Sequence, residues 1–119
     1  MTYYAVLDEN NIVIDIFVGI DESEKDNAEQ YYIDLGFGDK IKIYSSETYA
    51  GEHLNGGIPF RMNSAEIGGS YSDELDAFIP PKPFNQWILD ESTCRWVAPI
   101  PEPKDGRDHI WDELSGSWV

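Results

Sequence analysis

YSDELDAFIPPKPFNQWILDESTCRWVAP, residues 71–99, states one pattern twice, and IWDELSGSWV, residues 110–119, states it a third time. In the first copy Tyr71 precedes SDELDA, Phe78 and Ile79 follow, and Pro80 and Pro81 close it. In the second, Trp87 precedes ILDESTCR, Trp96 and Val97 follow, and then Pro99. In the third, Trp111 precedes DELSGS, and Trp118 and Val119 follow. Each middle carries an acidic pair: Asp73-Glu74, Asp90-Glu91 and Asp112-Glu113. Asp and Ser side chains bond to nearby backbone and so favour turns. Each copy therefore predicts a short antiparallel hairpin. Aromatics on the two arms then meet as a cross-strand pair, a stabilisation of roughly 0.2–1 kcal/mol. A lone two-stranded hairpin is marginal in water. The three must pack on each other, on the rest of the chain, or on another protein.

Proline separates the copies. All seven prolines lie at Pro59 or later, and Pro80, Pro81, Pro83, Pro99, Pro101 and Pro103 fall within or after the first copy. Such segments favour extended polyproline backbone and act as stiff spacers. Upstream, YYAVL, the turn DENN and IVIDIFVGI predict an opening hairpin. Ile12, Ile14 and Ile16 fall on one strand face, and Val13, Asp15 and Phe17 on the other, which predicts a central or covered strand. Ala28, Tyr31, Tyr32 and Leu35 stand at helical spacing, after Asp21 or Ser23 as a cap and before Gly36 as a stop. That pattern predicts a short helix over about 23–35. KIKIY reads as a strand. Residues 45–69 are glycine-rich and polar, and two readings stay open for them: an arm that wraps a neighbour, or a surface loop with one or two short strands. The expected fold is mainly β, built of antiparallel hairpins with one short α-helix. A β-rich module over 1–69 is followed by an extended, Pro-rich hairpin tail over 70–119.

The formal net charge of −15 over 119 residues opposes phosphate backbones and anionic lipid, so neither nucleic acid nor a membrane is expected as partner. A basic protein surface is compatible, and solubility alone also accounts for acid. Cys94 is the single cysteine, so no intramolecular disulfide forms. No apolar leader follows Met1, which predicts synthesis in the cytoplasm without a signal peptide. His53 and His109 stand far apart, without metal-ligand spacing. The acidic runs DESEKD and DELD lack the calcium-loop pattern, and GFGDK lacks a phosphate-loop pattern. No nucleophile motif surrounds Cys94 or any serine. The expectation is a protein without catalytic residues, metal or cofactor. The candidate residues are interface anchors: Tyr71, Phe78, Phe84, Trp87, Trp96, Trp111 and Trp118.

In combination GGSYSD, DAFIPPKPF, WILDE from Trp87 to Glu91, WVAP from Trp96 to Pro99 and the closing WDE…SWV are specific. Over the last third to half of the chain they resemble a family of small uncharacterised proteins of marine tailed bacteriophages, cyanophages among them. One departure is YSDELDAF, since family members often carry Asp directly after the aromatic. The resemblance implies phage origin and carries over no catalytic residues. From it follows the expectation of a virion structural protein. A capsid decoration or cement role comes first, with the major capsid protein or tail proteins as partners and self-association open. A tail or tail-fibre accessory module that binds carbohydrate or another receptor is the alternative. An intracellular acidic host-takeover protein comes third.

Overall fold

A computed structural model describes residues 2–119, and it is mainly β with small antiparallel sheets and one short α-helix. The opening hairpin forms as expected: β1 (Thr2–Leu7) pairs with β2 (Val13–Gly19). The turn is closed by Asp8, whose carboxylate accepts the N–H groups of Asn10 and Ile12, while Asn11 takes the left-handed conformation that Asn tolerates. A short 3₁₀ turn (Glu22–Glu24) leads to α1 (Ala28–Asp34), and β3 (Lys40–Tyr44) then returns to the sheet.

The sheet order is β2-β1-β3, which corrects two expectations. The central strand is β1, not β2. Tyr4 and Val6 pack with Ala28, Tyr32 and Ile41 on one face, and Ala5 and Leu7 are buried on the other. An edge position leaves Ile12, Ile14, Ile16 and Val18 exposed. Nor do Val13 and Phe17 share a face. The register slips between Val6 and Leu7, so Val13 joins Leu7 while Phe17 stacks on Tyr4 at 5.0 Å. One inserted residue reverses the alternation on one side of the slip.

The helix is also shorter than the 23–35 expected. Asp21 accepts Ser23 N–H and closes its own 3₁₀ turn; Lys25 is extended, and Asn27 starts the α-helix by accepting Gln30 N–H. Two competing caps divide the segment. Gly36 ends it at φ +87°.

Residues 45–69 form a folded loop. They hold a minimal hairpin, β4 (Thr48–Tyr49) with β5 (Glu52–His53), and then bury Asn63 and Ala65. The next hairpin, β6 (Ser70–Ser72) with β7 (Ala77–Ile79), is continuous with the core. Tyr71 and Phe78 lie in one cluster with Ala5, Leu7, Val13 and Tyr44. Its backbone is tied in as well: Val13 N–H donates to Gly69 O and Tyr71 N–H to Asn11 O. Two further hairpins follow, β8 (Ile88–Asp90) with β9 (Arg95–Val97), and β10 (Trp111–Asp112) with β11 (Ser117–Trp118). The outline is long, 52 × 33 × 22 Å, with a radius of gyration of 16.8 Å. A compact domain of this length has a radius near about 13.5 Å.

Candidate docking surface

The three C-terminal hairpins are built alike, and their register defines the match. Ser72 pairs with Ala77, Asp90 with Arg95 and Asp112 with Ser117, each closing a four-residue turn. The fourth turn residue is left-handed every time: Asp76 at φ +47°, Cys94 at +55° and Gly116 at +65°. The first strand residue of the turn caps it. Ser72 Oγ accepts Leu75 N–H, Asp90 Oδ1 accepts Ser92 N–H, and Asp112 Oδ1 accepts Leu114 N–H. So Ser72, not Asp73, corresponds to Asp90 and Asp112. The departure in YSDELDAF is a Ser in the capping place that an Asp holds in the other two hairpins. Hydrogen bonds from Ser92 and Thr93 hold the Asp90 carboxyl below the usual carboxylate range.

One step out from the turn, the same register pairs Tyr71 with Phe78, Leu89 with Trp96 and Trp111 with Trp118. These side chains point inward along the array. Tyr71, Phe78 and Trp111 are buried, which corrects their reading as surface anchors. Tyr71 and Phe78 are needed to cover the Ala5–Leu7 face of the sheet, and Trp111 is needed to close the last hairpin. Trp87 lies two residues before Leu89 and outside the strand pair. Its ring meets Phe84 at 5.4 Å and Trp111 and Trp118 at 6.1 Å each. Trp111 and Trp118 meet edge to face at 5.4 Å and 80°. Phe84, Trp87, Trp96 and Trp118 are half-buried.

The indole N–H groups hold the hairpins in series. Trp96 Nε1 donates to Pro80 O at 2.7 Å, and Trp118 Nε1 donates to Ile100 O at 2.8 Å. Each second-arm Trp thus reaches back to a carbonyl just beyond the preceding hairpin. Trp111 Nε1 donates to Gln86 Oε1, and Gln86 Nε2 donates to Glu113 O. The prolines keep these carbonyls on extended backbone, without a strand partner of their own. Pro81, Pro83, Pro99, Pro101 and Pro103 are exposed, and Pro80 is half-buried under Trp96.

Asn63 joins the array to the body. Its amide donates to Phe78 O, Cys94 O and Thr93 O, and its carbonyl accepts Ala50 N–H and Arg95. Beside it Arg61 bridges Glu29 at 2.9 Å and Asp76 at 3.0 Å and donates to Ile43 O. Burial works against the Arg61 cation, but the carboxylates outweigh it and hold its pKa above the ordinary value. Burial, with Glu91 and Asp90 nearby, pushes the Cys94 thiol up. A thiol held protonated is a poor nucleophile.

Beside its prolines and acidic turns, the array shows aliphatic side chains to solvent. One more step along the register, Ile88 pairs with Val97, and Ile110 exchanges two backbone bonds with Val119. Their exposures are 57% and 43% in the first pair and 71% and 65% in the second. The same step in β6–β7 pairs Ser70 with Ile79. The sequence reading selected the aromatic of each aromatic–aliphatic dipeptide and passed over its neighbour. Strand alternation carried the signal: in Trp96-Val97 and Trp118-Val119 one side chain faces in, so the next faces out.

Among the described residues no group of three or more His, Cys, Asp or Glu side chains is placed to hold a metal ion. Nor, among the described residues, is any helix long and apolar enough to cross a membrane. The class defined by this geometry is a small β protein that carries a serial array of tryptophan-braced hairpins. The chain matches no family model, no curated protein and no solved structure.

Proposed function

We propose that this chain is a structural subunit of a tailed-bacteriophage particle, docked on the capsid shell as a decoration protein. The resemblance of its C-terminal segments supplies the phage setting. The observation that carries the docking role is the repeated exposed aliphatic pair, Ile88 with Val97 and Ile110 with Val119, on an elongated and internally braced array. Exposed apolar residues in a repeated place mark protein contact surfaces. The aromatics support this role from inside, because they stiffen the array and so reduce what it loses in freedom on docking. A sugar platform needs flat rings presented side by side. Here the Trp87, Trp111 and Trp118 rings lie at 57–85° to one another, and two of the four indole N–H groups are bonded to backbone carbonyls. That favours the shell over the carbohydrate reading.

The test is quantitative mass spectrometry of purified particles, with this protein counted against the major capsid protein. A simple fraction of the capsid copy number is expected. Ile110→Lys together with Val97→Lys is expected to empty the particle of this chain while leaving its fold intact by circular dichroism. A handful of copies per particle would move it to the tail or a vertex, and absence from particles would sink the proposal.

A further inference from the structure

One opening on the body lies away from the hairpin array. A cavity of about 520 Å³ opens between the end of the sheet and the 45–60 loop. Tyr3, Tyr44 and Phe60 supply its aromatic wall, Ile58 and Pro59 its rim, and Glu22 and Glu47 its charge. Tyr3 and Tyr44 lean together at 5.6 Å. No lysine, arginine or histidine lines it. Ring faces are electronegative and attract cations, so wall and charge act in the same sense.

The rest of the chain shows how its aromatics are otherwise used. Of its eight basic residues five sit over rings: Lys25 over Tyr31, Lys42 over Tyr71, Arg61 over Phe60 and Tyr71, Lys82 over Trp96 and Arg95 over Tyr49. Among the described residues, Tyr3 and Tyr44 have no such cation. The Glu22 carboxylate makes no ion pair among the described residues, and Glu47 meets His53 at Oε2 and Asn55 at Oε1, neither of which lines the cavity. An anion is repelled by both carboxylates. A neutral chain would desolvate them without compensation.

We propose that this cavity receives a lysine or arginine side chain of the protein on which the chain docks, with its stem on Tyr3, Tyr44 and Phe60 and its charge between Glu22 and Glu47. The inference deepens the docking role and rests on it for the identity of the donor. It also gives the charge of −15 a local use. Long basic side chains bury their stems against apolar surface and keep the head in polar surroundings, and a cavity walled by rings and rimmed by carboxylates meets both needs.

The probe is an acetylated, amidated Gly-Arg-Gly peptide, with the citrulline peptide as an uncharged isostere, titrated into the full chain and followed by NMR. The arginine peptide is expected to shift the Tyr3 and Tyr44 signals saturably at millimolar concentration, and the citrulline peptide is not. Glu22→Gln is expected to weaken binding about three- to fivefold, the range of one screened charge contact. Added salt should weaken it similarly. Equal binding of the citrulline peptide, shifts confined to other residues, or no shift at all would each overturn the site. A chain whose cavity fails this test yet still decorates particles would refute the cavity and leave the shell role standing.

Discussion

Replacing Asn63 with Ala removes a side chain that touches the minimal hairpin, β7 and β9 together. In the folded chain its amide has two hydrogens and three acceptors, Phe78 O at 2.9 Å, Cys94 O at 3.1 Å and Thr93 O at 3.2 Å. Its carbonyl accepts Ala50 N–H at 2.9 Å. The residue is 1% exposed, so water cannot simply take its place. Three well-made buried bonds at about 1 kcal/mol each give a loss of about 3 kcal/mol. The three carbonyls keep a second lone pair, while the Ala50 N–H is left with nothing, so the sum is a central value and not a ceiling. Unfolding entropy of about 2.1 cal/mol/K per residue gives about 250 cal/mol/K for 119 residues. The melting temperature should then fall by about 12 °C. Differential scanning calorimetry reads that shift, and hydrogen exchange reads where it arises. The β8–β9 amides should lose protection before those of β1. A fall below about 4 °C, the equivalent of about 1 kcal/mol, would refute the role of Asn63 as the clamp between body and array. So would exchange that rises evenly over the whole chain.

Two further outcomes follow from the geometry. Gly116→Ala puts a Cβ at φ +65°, with its nearest neighbour at 3.9 Å, so strain acts alone and contact adds nothing. The urea midpoint should drop by the equivalent of about 1 kcal/mol, and an unchanged midpoint would contradict the left-handed turn. Burial first, and then Tyr32 and nearby carboxylates, push the Tyr4 hydroxyl up to about 12. Burial and the bond donated to Asp76 push Tyr71 up as well. A folded-state value raised above the unfolded value of 10.0 favours the fold fully below pH 10 and progressively less as pH rises towards 12. Phenolate absorbance from these two rings should therefore appear together with loss of the β circular-dichroism signal. Their ionisation in a still-folded chain would refute the burial argument.

The hairpins were legible because their information is local. Turn-forming side chains and flanking aromatics lie within about ten residues of one another. The opening hairpin, β3 and the glycine that stops the helix were legible for the same reason. The edge position of β2 was not. IVIDIFV carries apolar groups on both faces whether it is central or at an edge, and only the return of β3 to the far side of β1 decides between them. The bulge at Ile14 and Asp15 leaves no mark on composition. Asn63 was hidden in a glycine-rich stretch because its partners are carbonyls 15 to 31 residues away. The aromatic residues were found but assigned the outward role. Tyr71, Phe78 and Trp111 are large enough to serve as core, and a small protein uses them first to exclude water from itself. The aliphatic pairs beside them needed only the alternation rule.

Trp96 bonds to a carbonyl sixteen residues earlier and Trp118 to one eighteen residues earlier. Neither indole bond waits on residues still to come. As the chain leaves the ribosome, each new hairpin finds its seat already built, and the array grows in the order of synthesis. The same asymmetry governs loss. Removing the last hairpin leaves the Trp96 bond intact but uncovers Trp87 and frees Gln86, whereas disrupting the first takes away the carbonyl on which Trp96 is seated. A protein assembled in this way can vary its last unit while the sheet and the Trp96 seat stay as they are, so long as Trp87 and Gln86 keep a cover.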